Sequence, residues 1–154
     1  MSGRNNLQLA IKIGDTYQIT HFNLKEFENP NGWAMVHESV IISLTKVRKA
    51  LMEKIGEEVE IIITGSTRTP QDLKRLAERL GWLEEGGSVA RNSRHLDRFG
   101  GIAVDFYARQ KRDKKRIATN IVKEVSQQYF DFVKADYPDG HIHADNRNQS
   151  NTTL

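Results

Sequence analysis

Between Leu7 and Thr20 apolar and polar residues alternate about Gly14-Asp15, the period-two pattern of a small β-hairpin. The stretch FNLKEFENPNGW from Phe22 to Trp33 breaks that alternation and reads as a polar connector carrying Pro30 and Gly32. A helix is predicted from Met35 to Ile55, with Val40, Leu44, Val47, Leu51 and Ile55 on one face and Gly56 as its stop. Residues Glu58 to Ile63 are β-branched and fit a buried strand that runs into the turn-like TGSTRTP. A second helix is predicted from Pro70, with Thr69 as its N-cap and Leu73, Leu76, Ala77 and Leu80 as its stripe. The next segment, from Gly81 to Gly101, is rich in loop residues, and Ile102 to Ala108 reads as a strand. A third helix is predicted from Arg112 to Lys134, its apolar face made by Ile117, Ile121, Val125 and Phe132 or Val133. Tyr137-Pro138-Asp139-Gly140 makes a turn, and HIHAD is the last strand.

Helices and strands mix without strict βαβ alternation, and no repeat or linker divides the chain. The pattern predicts one α+β domain over residues 1–147 and a polar tail over 148–154. A length of 154 residues supports a single core. The charged fraction of 28% and mean hydropathy of −0.60 describe a water-compatible surface. No apolar run is long enough to span a bilayer. MSGRNNLQLAIKIGD shows neither an apolar h-region nor a small-residue cleavage site, so no signal peptide is expected. With no cysteine, disulfides, thiolate ligands and thiol nucleophiles are excluded. Any metal must be held by His and carboxylate, a donor set that suits zinc in an open catalytic site. The formal charge is +3 and much of the excess lies in RQKRDKKR, Arg109 to Arg116. That run has no interleaved aromatics and no nucleic-acid-binding fingerprint, so it is expected to be a solvated loop or helix start.

The candidate chemistry lies in SRHLDRFGGIAVDF, Ser93 to Phe106, and in HIHADNR further on. An apolar run ending on Asp105 buries a carboxylate, which is costly unless something pairs with it. His141 and His143 are two apart, so in a strand both face one side, with Asp145 next along it. If the two strands are neighbours, Asp105 meets the histidines and His95 closes the group from its loop. Two histidines and a carboxylate with an open fourth position make a hydrolytic zinc arrangement. Singly, each piece has an ordinary reading: a hydrogen-bonded histidine pair, or a strand-end cap at Asp105.

The order of these pieces resembles the zinc D-alanyl-D-alanine carboxypeptidase family of peptidoglycan peptidases, which includes VanY-type carboxypeptidases and phage L-alanyl-D-glutamate endolysins. The family pattern of Ser-x-His, Gly-x-Ala-x-Asp and a distal His-x-His is matched by Ser93-Arg94-His95, Gly101-Ile102-Ala103-Val104-Asp105 and His141-Ile142-His143. FNLKEF and IIITGSTRTP resemble the family's opening and its arginine segment, so the match runs from about Phe22 to Arg147. The resemblance implies a small antiparallel sheet flanked by helices with zinc on the sheet. It implies His95, Asp105 and His143 as zinc ligands, His141 as base or transition-state stabiliser with Asp139 in reserve, Arg68 on a substrate carboxylate or the carbonyl, and Ser93 in support. Three features depart from it: His95 and Asp105 are ten apart rather than seven, Thr67 replaces a tyrosine, and Gly140 stands where some relatives have an acidic base.

The function expected from this resemblance is hydrolysis of peptidoglycan stem peptides by a monomer, as a carboxypeptidase or an endolysin-like endopeptidase. Such a protein would be phage-associated, or held in the cytoplasm until released to the wall. One rival is a non-catalytic wall-peptide or partner-binding module with a structural zinc. Another is a nucleic-acid-binding protein using Arg109 to Arg116, for which the support is weak.

Overall fold

The computed structural model describes residues 7–72, Arg75, Arg79 and 93–148. The alternating N-terminal segment forms strands β1 (Gln8–Ile13) and β2 (Thr16–Asn23), paired antiparallel. The polar connector is more ordered than its composition suggests. It opens with a 3-10 turn over Leu24–Phe27 that buries Phe27 against Phe22. Helix α1 (Glu38–Ile55) starts three residues later than Met35, because the His37 ring accepts from the Ser39 N–H as its N-cap. It stops at Gly56, whose left-handed backbone at φ 76 returns its N–H to the Met52 carbonyl.

Four strands form the main sheet in the order β3-β4-β6-β5, all antiparallel: β3 (Val59–Gly65), β4 (Ala103–Gln110), β5 (Phe132–Lys134) and β6 (Ile142–Asp145). The α+β class is therefore as the pattern predicts, and the small antiparallel sheet with flanking helices is as the resemblance implies. Val104, Phe106 and Ala108 of β4, with Ile142 and Ala144 of β6, join the core with Val40, Leu44, Val47 and Leu51 of α1. Burying that row fixes the register, since a slip by one residue would turn every side chain to the other face. Asp105 then falls opposite His143, with Gly65 on its other side in β3.

The predicted helix from Arg112 to Lys134 is corrected to α2 (Thr119–Ser126). Before it, the chain makes a tight turn with Lys114 at φ 62, and Ile117 donates its N–H to the Ala108 carbonyl, pairing back on the end of β4. After α2, Phe130 is buried, and Phe132–Lys134 pairs with β6 as a strand. Ile117 and Val133 thus matched helical spacing while belonging to sheet pairing, a tertiary override that periodicity alone cannot detect. The basic run spans the end of β4 and the turn after it, where Glu60 holds Arg109 at 3.0 Å and Lys114 at 2.9 Å. Residues 70–72, 75 and 79 are helical, so a helix does open at Pro70. Its predicted apolar stripe lies outside the described residues, as does most of the tail. No helix among the described residues is long and apolar enough to cross a membrane.

Gly100 and Gly101 both take φ 79 where the loop returns to β4. A Cβ on Gly101 would lie 2.9 Å from the Met35 carbonyl oxygen and from the Val36 Cα, whereas one on Gly100 would meet nothing within 4 Å. Gly100→Ala should therefore lose only the left-handed penalty of about 1–2 kcal/mol. Gly101→Ala should lose about 1–3 kcal/mol more, because backbone must move. Chemical denaturation of the two variants checks this, and equal losses would refute the close-packing account.

Candidate metal centre

His95 enters the site from a turn whose position is set by backbone pairing with the segment after β3. The Arg68 N–H donates to the His95 carbonyl at 2.7 Å, and the Asp97 N–H to the Arg68 carbonyl at 2.8 Å. The same segment fixes the ring, because His95 Nδ1–H donates to the Ser66 carbonyl at 2.8 Å. Ser66 is itself anchored through its hydroxyl to the Phe27 carbonyl, and Thr67 through its hydroxyl to the Met35 carbonyl. With Nδ1 protonated, neutral His95 turns the bare Nε2 toward Asp105.

The cross-strand register supplies the other two groups. His95 Nε2 lies 3.0 Å from Asp105 Oδ1, His143 Nδ1 lies 3.1 Å from the same oxygen, and the two nitrogens are 3.1 Å apart. His143 Nε2 sits 2.8 Å from Asp145 Oδ2 and donates its proton there, leaving Nδ1 as the bare nitrogen when the ring is neutral. With both rings neutral, three lone-pair-bearing atoms therefore converge with no proton of their own between them. Tetrahedral zinc with bonds of about 2.0–2.1 Å sets its ligand atoms about 3.3–3.4 Å apart, so the triangle needs only slight opening to take a metal. His95, Asp105 and His143 form a group that could hold a metal ion. The second ring nitrogens are held by a backbone carbonyl and a carboxylate, the usual partners of metal-binding histidines.

Charges around the triangle follow from burial and pairing. Burial would raise the Asp105 carboxyl, but His95 and His143 beside it outweigh that and hold it well below the usual carboxylate range. For His143, burial opposes charge, yet the carboxylates of Asp105 and Asp145 prevail and raise the imidazole to about 8. Burial likewise works to raise Asp145, while hydrogen bonds from Arg147 and His143 bring it down to about 2. Arg147 grips both oxygens of Asp145 at 2.8 Å and lies over the Phe132 ring, 3.8 Å from its centroid.

The other expected site residues take different places. His141 precedes β6 and does not join the triangle; its Nδ1 is bonded to Asp139, and its ring stacks on Tyr137 with centroids 4.0 Å apart. Two hydrogen bonds from His141, backbone and ring, hold Asp139 below the ordinary aspartate range. Burial raises the Tyr137 hydroxyl to about 12, helped by the Asp105 carboxylate. Arg68 reaches within 4.0 Å of Asp105 across Gly65. Ser93 accepts from the His95 N–H at 3.3 Å, so it braces the turn. Sequence reasoning missed the anchoring duties of Ser66, Asp145 and Arg147; only the His-x-Asp spacing of His143 and Asp145 carried a signal. No family model, curated protein or solved structure matches this chain.

Two outcomes follow for metal binding, read by titrating the stripped protein with cobalt(II) and following its visible absorption. Asp145→Asn should weaken binding by about 10–100-fold without unfolding the protein, the usual effect of losing an outer partner. An unchanged affinity would show that Asp145 only pairs with Arg147. The second outcome is a pH dependence. Metal must displace the proton on His143, which is bound below about pH 8 and absent above it. Affinity should therefore fall about tenfold per pH unit on going down from 8 and level off above it. A flat profile between about pH 6 and 9 would contradict the protonated metal-free site.

Proposed function

We propose that this chain is a zinc-dependent peptidase acting on peptidoglycan stem peptides, as a D-alanyl-D-alanine carboxypeptidase or an endolysin-like endopeptidase. The observation that carries the reading is the triangle of His95 Nε2, Asp105 Oδ1 and His143 Nδ1, each within 3.1 Å of the others. The resemblance of the flanking motifs supports the same conclusion. Zinc bound there supplies a Lewis acid for the scissile carbonyl and acidity for the attacking water.

The chain's own residues account for the rest of the reaction. His141 is held through Nδ1 by Asp139, which leaves Nε2 as the nitrogen to accept a proton from water and return it to the leaving amine. The Asp139 carboxylate fixes that orientation of the His141 ring, so the expected base and its reserve form one dyad. Arg68 carries a fixed, always charged fork, suited to a substrate carboxylate or the carbonyl oxygen. Tyr137, flat against His141, limits the orientations of that ring. A protein with this activity would act at the cell wall as a phage product or after release from the cytoplasm.

Mass spectrometry of muropeptides before and after incubation with the purified, zinc-loaded protein tests the reading and identifies the bond cut. Intact muropeptides would return the chain to a wall-peptide-binding module with a structural metal. His141→Ala should keep zinc while losing about two to four orders of magnitude in turnover. His143→Ala should lose both. Equal loss of zinc in the two variants would make His141 a ligand and remove the dyad from the mechanism.

A further inference from the structure

Beside the triangle lies a cleft of about 480 Å³ that begins at Gly65 and Arg68 and extends to Arg75 and Arg79. That volume is on the scale of a bound short peptide. Arg75 and Arg79 are four residues apart in helical conformation, so they share a face, and both line the cleft. Two carboxylates also line it, but Asp72 is buried and turned to Asn31 Nδ2 and the Thr69 N–H, with Arg75 at 4.0 Å. Glu28 is exposed. Arg79 makes no ion pair among the described residues.

A second observation comes from Asn29, which is 7% exposed and also lines the cleft. Its Oδ1 accepts from the Asn31 and Trp33 N–H groups, which fixes the orientation of the amide. Nδ2 is then a buried donor with no partner among the described residues. A buried donor left unmade is unfavourable, so an acceptor delivered by a ligand would relieve it. Guanidinium groups and an amide donor converging on one cleft favour a carboxylate, which accepts from several donors at once.

We propose that Asn29, Arg75 and Arg79 form a second carboxylate subsite, reading a free carboxylate of the peptide that takes no part in the bond that is cut. This rests on the peptidase reading for the kind of substrate, with Arg68 at the inner end of the cleft serving the first carboxylate. The subsite selects stem peptides whose internal carboxylate is free over those in which it is amidated.

Calorimetric titration in a His141→Ala background, where the peptide is not consumed, tests the selection. The probes are the tetrapeptide L-alanyl-γ-D-glutamyl-L-lysyl-D-alanine and the same peptide amidated at the glutamyl α-carboxylate. The free acid should bind about tenfold tighter than the amide. Adding Arg75→Gln and Arg79→Gln together should reduce that preference to less than about twofold. Asn29→Asp, which keeps the acceptor for both N–H groups and replaces the donor with charge, should abolish the preference as well. Equal affinity for the two peptides, a preference that survives the double substitution, or no binding at about 1 mM would each overturn the subsite. If wild-type protein cuts no muropeptide yet the preference and its loss are seen, the peptidase reading fails and the subsite stands.

Discussion

Asp105 is an ionised carboxylate packed between two imidazoles, and the surrounding chain is arranged around that contact. Each imidazole has one nitrogen committed outward, His95 to the Ser66 carbonyl and His143 to the Asp145 carboxylate. What remains are lone pairs pointing at one another across about 3 Å. In the metal-free protein a proton on His143 relieves this, which is why its affinity for that proton is raised. A divalent cation would relieve it further, since it faces all three donors at once. The cost of the arrangement without a cation is the physical case for a metal centre; a protein needing only a buried hydrogen bond would not have to turn both rings inward.

Holding the three groups in place requires distant parts of the chain to agree. The β4–β6 register sets Asp105 against His143, and the hydrophobic row on the opposite face enforces that register. His95 is held by the loop after β3, whose hydroxyls are tied to the connector before α1. At Gly65 the sheet register shifts, and a Cβ there would lie 2.8 Å from Asp105 Oδ2 and 2.9 Å from Arg68 Nη2. The absence of a side chain lets the arginine and the aspartate meet above the strand. The ten-residue spacing from His95 to Asp105 is taken up by a 3-10 turn over Asp97–Phe99 and the two left-handed glycines, leaving the ligand positions undisturbed.

Much of this was legible in the residues, and the exceptions have a common cause. Alternation and β-branching located β3, β4 and β6, and spacing located α1, because those elements bury one face of a local repeat. Asp105 stood out because an ionisable group at the end of an apolar strand needs a partner; the choice of His95 and His143 as its companions came from the resemblance. The third helix was overextended because Ile117 and Val133 have helical spacing but are used in backbone pairing with the sheet. Which ring nitrogen each histidine presents was invisible, since it depends on Ser66 and Asp145, one distant and the other two residues away. His141 was expected beside His143 on the strand face; the strand begins after it, and Asp139 and Tyr137 claim its ring instead.

The charges around the centre bear on what it can admit. Asp105 and Asp145 are ionised, and Arg68 and Arg147 stand beside them as counter-charges. The four groups therefore neutralise one another, and with both histidines neutral the full charge of a bound divalent cation is left uncompensated. Arg147 is committed to Asp145 through two hydrogen bonds and covered on one face by Phe132, so it supports the centre rather than facing a substrate. Among the described residues Arg68 makes one ion pair, the 4.0 Å contact with Asp105, and it opens on the cleft, where on the proposed reading it would exchange that weak pairing for a substrate carboxylate. Such an exchange would loosen one constraint on Asp105 as the substrate arrives, leaving the carboxylate to the metal alone. The positive potential of a centre loaded with a divalent cation, continued by Arg75 and Arg79 along the cleft, would favour an acidic ligand over a basic one.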